Sequence, residues 1–94
     1  MDSPDIKHME RRAKALAIAL YDLREERTNL KAYMKEHPTD WSALDNLKFV
    51  VDKLVERLQE VGELSAALRE VGTQEALSIL VLLAPHTVED DFRS

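Results

Sequence analysis

The chain contains no cysteine, which excludes disulfides, thiolate metal sites and cysteine nucleophiles and leaves compartment open. Glycine occurs twice and proline three times in 94 residues, a composition that suits a helical bundle rather than a β-rich or disordered chain. Long apolar runs are also missing. The longest strongly apolar stretch, residues 79–84, is far below the roughly 18 to 20 residues that cross a bilayer. The sequence begins acidic with no early apolar run, so no signal peptide is read and the cytoplasm is the expected location.

Sites for chemistry are equally scarce. There is no P-loop, dinucleotide fingerprint, zinc spacing or EF-hand loop, and no serine in a nucleophile motif. His8, His37 and His86 fall in three separate segments and read as ordinary surface histidines. Asp5 and His8 have the i, i+3 spacing of bundle metal sites, but those sites need several inward carboxylates, and the seams described below offer none. Glu25–Glu26 and Asp90–Asp91 read as solvated charge. The expectation is a protein without catalytic residues, metal or cofactor.

What the chain does carry is helical periodicity. Ile6, Met9, Ala13, Leu16, Leu20, Leu23, Arg27, Leu30 and Met34 alternate three and four apart, the seam of a helix that lies along another helix. Ser3-Pro4-Asp5 marks its start, with Ser3 placed to cap free amides, and Pro38 ends it. Asp40 or Thr39 caps a second helix, in whose first turn Trp41 is placed to cover the hairpin tip. The second seam reads Leu44, Leu47, Val51, Leu54, Leu58 and Val61, flanked by Val50 and Val55. A four-residue connection between two such helices predicts an antiparallel hairpin. Beyond Gly62 the apolar set shifts to Leu64, Leu68 and Val71, so the helix either overwinds or breaks there; a kink is the expectation, with Gly72 as the true stop. Thr73 caps a third helix that is apolar nearly all round. The predicted fold is all-α: one domain, residues 1–94, a coiled-coil-like antiparallel hairpin of helices 4–36 and 40–71 with a short apolar helix 74–84, then a polar tail 85–94.

Three features point outward or break the pattern. Ile18 and Tyr21 lie off the first seam and Phe49 off the second, which predicts a further contact surface and self-association. The third helix has more apolar faces than one hairpin can bury. Leu77, Leu80, Val81 and Ala84 form the face expected to pack inward, leaving Ile79, Leu82 and Leu83 for a partner. Arg27 is the one polar seam residue. It either carries its charge to the rim on a buried stem or meets a carboxylate across the hairpin, where pairing about Pro38 favours Asp52 over Glu56.

Charge is uneven. Residues 1–37 carry eight Lys/Arg against seven Asp/Glu, and residues 38–94 carry five against eleven. That balance disfavours nucleic acid as a partner, though Lys7, Arg11, Arg12 and Lys14 cluster at the start of the first helix. Two or three phosphate contacts from them would give only weak, salt-sensitive binding, and no aromatic residue interleaves. The class predicted is therefore a protein-interaction module, an adaptor, assembly factor, chaperone or regulator that forms homo-oligomers or binds a helical protein. A nucleic-acid-associated regulator is the alternative.

Overall fold

A computed structural model describes residues 5–86. They form three helices and no strand: α1 (Ile6–Glu36), α2 (Trp41–Val71) and α3 (Gln74–Leu83). The first two make the antiparallel hairpin, and α3 folds back against both at its open end. At 31 residues, each arm is about 46 Å long, while the ten residues of α3 span only about 15 Å. The third helix therefore reaches along about a third of the hairpin.

Each helix begins on a side-chain cap. Asp5 opens α1, its Oδ1 accepting from the amides of Lys7 at 3.0 Å and His8 at 3.3 Å. This corrects the choice of Ser3, which lies with Pro4 outside the described residues. Asp40 opens α2 by accepting from the Ala43 amide at 3.1 Å, and Thr73 opens α3 by accepting from the Ala76 amide at 3.1 Å. Gly72 ends α2 at φ 67, its amide still bonded to the Leu68 carbonyl. That left-handed geometry strains any residue with a Cβ, which is why the chain reverses on a glycine.

The hairpin tip is held by one aspartate. Besides capping α2, Asp40 accepts a 2.7 Å hydrogen bond from the Tyr33 hydroxyl, and the Tyr33 ring lies 4.3 Å from that of His37. The last turn of α1 is thereby tied to the first of α2. Trp41, expected to cover this tip, instead stands 68% exposed. The Tyr33 hydroxyl and then the Ala43 amide hold the Asp40 carboxyl below its ordinary value of 3.8, and the same bond raises the Tyr33 phenol above 10.0. A depressed carboxyl stabilises the fold above its unfolded value and loses that contribution as pH falls through the folded one. Asp40→Asn should therefore be less stable than wild type at pH 6, with the gap closing as pH drops below about 4. Thermal melts across that range test it; a constant gap would show that the charge on Asp40 does nothing.

The seam of α1 is as read from the sequence: Met9, Ala13, Leu16 and Leu20 are buried, and the other seam residues are half-buried. On α2 the buried stripe is Ala43, Val50, Leu54, Leu58 and Val61, then Leu64, Ser65 and Leu68. Near the tip it is offset by one residue, so that Val50 is buried and Val51 half-buried. The helix runs unbroken through Gly62. The register shift there has a packing cause. From Leu58 to Arg69, α2 faces α3 as well as α1, and a helix between two neighbours buries a wider arc than a two-helix seam.

Candidate interaction surface

α3 is where sequence and structure part most clearly. The inward face is Ala76, Ile79 and Leu83, at 0%, 3% and 2% exposure, with Leu80 half-buried beside it. Ile79 and Leu83 are thus core rather than partner-facing, a reversal of the expected assignment. The outward ridge is Leu77 and Val81, 51% and 70% exposed, with Leu82 at 39% on its flank. Ala76 explains the choice. A methyl side chain between two helices lets backbones approach closely, and Ile79 and Leu83 follow it at the three- and four-residue spacing of one face. The overlooked signal was polar: Gln74 and Ser78, one turn apart and both exposed, mark the outward side, and the Ser78 hydroxyl donates back to the Gln74 carbonyl.

Ile18, Tyr21 and Phe49 all point outward as expected, at 65%, 68% and 61% exposure. The structure does not bring them together. Ile18 and Tyr21 lie on the outer side of α1 and Phe49 on the outer side of α2, where the Lys53 ammonium sits 5.5 Å from its ring centre. Tyr21 lines a shallow depression with Arg24, Glu25 and Thr28.

The register pair is not formed. Among the described residues no ion pair joins Arg27 to Asp52. Arg27 is half-buried and engaged elsewhere, while Asp52 is exposed. Two residues from both Val50 and Leu54, Asp52 lies on the opposite side of α2 from the buried stripe, so counting residues about the turn gave the right level but the wrong face. Arg27→Met and Asp52→Asn should then be additive within about 0.5 kcal/mol, and a double-mutant cycle measuring larger coupling would contradict this placement.

The four basic residues clustered at the start of α1 are divided. Lys7 and Lys14 line a groove with Glu10 and Glu75, and Lys14 Nζ is 4.0 Å from Glu10. Arg12 lies instead beside Arg57 and Glu60, and Arg11 is exposed. Arg12 is set apart from the other three, and Glu10 and Glu75 interrupt the side that Lys7 and Lys14 share. His86, expected on the open surface, is half-buried, with the Arg24 guanidinium donating to its Nδ1 at 2.6 Å. Among the described residues no cluster of His, Asp and Glu could hold a metal ion, and no helix is long and apolar enough to cross a membrane.

The geometry leaves an exposed apolar surface centred on α3, continuing as a groove between α2 and α3 lined by Leu58, Val61, Gly62, Ser65, Leu80 and Ala84, with a volume of about 350 Å³. The chain matches no known protein-family model, no curated protein and no solved structure.

Proposed function

We propose that this chain is a non-enzymatic protein-interaction module that self-associates through apolar surface outside the hairpin seam. The observation carrying this reading is the outward face of α3. In a ten-residue helix whose only charged residue is Glu75, Leu77, Val81 and Leu82 stand substantially exposed. Scattered surface apolar residues are normal, but three exposed large apolar residues within six positions, on a face whose only polar members are Gln74 and Ser78, support a contact site. Burial of one such side chain contributes about 1.5 to 3 kcal/mol, so a partner over this ridge gains substantially by covering it.

The alternative of nucleic-acid association draws less support, since Lys7 and Lys14 share their groove with Glu10 and Glu75. Sedimentation of the full chain from low to high micromolar concentration tests the main reading. A dimer or larger species is expected, and a monomer throughout would refute it.

A further inference from the structure

The side of α1 that faces away from the hairpin carries an order the fold does not use. Lys7, Arg11, Lys14, Ile18, Tyr21 and Glu25 recur at alternating four- and three-residue spacing, so they share one stripe of the helix. All of them are exposed. The stripe opens on three cations, holds its two large apolar groups in the middle, and goes on to Glu25 and then Glu36. No contact among the described residues accounts for this order. Lys7, Arg11 and Glu25 join no ion pair there, and Lys14 reaches only Glu10 of its own helix, at 4.0 Å with both side chains well exposed. A pair of that kind contributes little. Nor does α1 itself gain, since Lys7 in its first turn and Glu36 in its last both oppose the helix dipole.

We propose that a second copy of this chain lies antiparallel along the stripe, with a two-fold axis passing between Ile18 and Tyr21. This rests on the self-association proposed above and names its site. Lys14 stands four residues before Ile18, and Glu25 four residues after Tyr21. The axis therefore sets Lys14 of each copy level with the partner's Glu25, and Ile18 level with the partner's Tyr21. The apolar pair, 65% and 68% exposed in the single chain, is covered at the centre, and the flanking charges fix register and direction. A parallel partner would instead set lysine against lysine and glutamate against glutamate. Length favours α1 as well. The two helices overlap over residues 6–33, about 42 Å, whereas α3 spans only about 15 Å. The ridge of α3 joins the same contact. Leu82 shares a groove with Lys7 and Lys14, and the partner's α1 beyond Glu25 passes over it, with Val81 at the edge.

Charge reversal tests the pairing by sedimentation of the full chain. Lys14→Glu and Glu25→Lys lie at exposed positions, so each variant should keep wild-type helix content. Alone, each sets like charges against one another at two symmetry-related contacts and should dimerise about tenfold more weakly than wild type. Mixed in equal amounts, the two should form a heterodimer of wild-type affinity, because opposite charges face each other again at both contacts. Ile18→Glu should be monomeric where wild type is dimeric, and Phe49→Glu, on the outer side of the other arm, should behave as wild type. A wild-type dimer unmoved by Lys14→Glu, Glu25→Lys and Ile18→Glu would overturn the α1 site and leave self-association standing. Single variants that weaken the dimer but do not recover on mixing would overturn the antiparallel pairing. A wild-type monomer at several hundred micromolar would overturn both the site and the self-association.

Discussion

Leu83→Glu should release α3 from the hairpin, while Val81→Glu should leave it docked and abolish self-association. The two residues are two positions apart in a helix apolar on nearly every side, yet one is 2% exposed and the other 70%. Removing a buried leucine costs about 2 to 5 kcal/mol, and a carboxylate put in its place must be desolvated or protonated, which adds to the loss. Even the lower bound lowers the melting temperature by roughly 8 to 16 °C in a domain of this size. At Val81 the carboxylate stays in water, so monomer stability should change by no more than about 0.5 kcal/mol. The cost falls on the proposed self-association, where the charge would be trapped against apolar surface. Melts of dilute protein separate the two effects from sedimentation at high concentration. A Leu83→Glu variant that melted like wild type would mean the inward face of α3 is misassigned.

That prediction inverts the one the sequence suggests, and the reason is physical. In α1 the polar residues between seam positions are numerous, so the apolar stripe can be read directly, and every residue of it is buried or half-buried. Helix punctuation was legible in part: the cap at Thr73 and the glycine stop at Gly72 are local chemistry decided within one turn, Asp40 was one of two candidates with Thr39, and Asp5 rather than Ser3 opens α1. α3 offers almost no polar contrast, and its orientation is set by how the Gly72–Thr73 turn lays it on the hairpin. Only Gln74 and Ser78 betray the outward side.

Long-range pairing was less legible still. Arg27 and Asp52 sit at matching levels about Pro38, but level does not fix face, and Asp52 lies behind the stripe defined by Val50 and Leu54. The shift in apolar register at Gly62 had the opposite fault. It resembles a local defect in one helix and is instead the place where a third helix joins the packing. The candidate surface shares this property. The groove lined by Val61, Gly62, Leu80 and Ala84 exists only once α3 lies beside α2, and nothing in their local sequence places them together.

The second large effect is expected at Leu54→Ala. Leu54 is fully buried in α2 and lies toward the tip from the stretch of α2 that lines the groove with α3, so it is core of the hairpin itself. Truncation there should cost about 2 to 5 kcal/mol. Natural domains hold roughly 0.05 to 0.15 kcal/mol per residue, so a 94-residue chain would lose a large share of its total stability. Val55→Ala, at a neighbouring position that is 38% exposed, should cost clearly less. If association stabilises the fold by mass action, the wild-type melting temperature rises with concentration. Leu54→Ala should lower that temperature at every concentration while preserving the rise, whereas Val81→Glu should remove the rise and leave the dilute value nearly unchanged. Combined, the two substitutions should be additive within about 0.5 kcal/mol at low concentration, because the sites share no partner. Strong coupling between them would mean that the hairpin core and the outward face of α3 are one cooperative unit, and that the interface cannot be removed without loosening the fold beneath it.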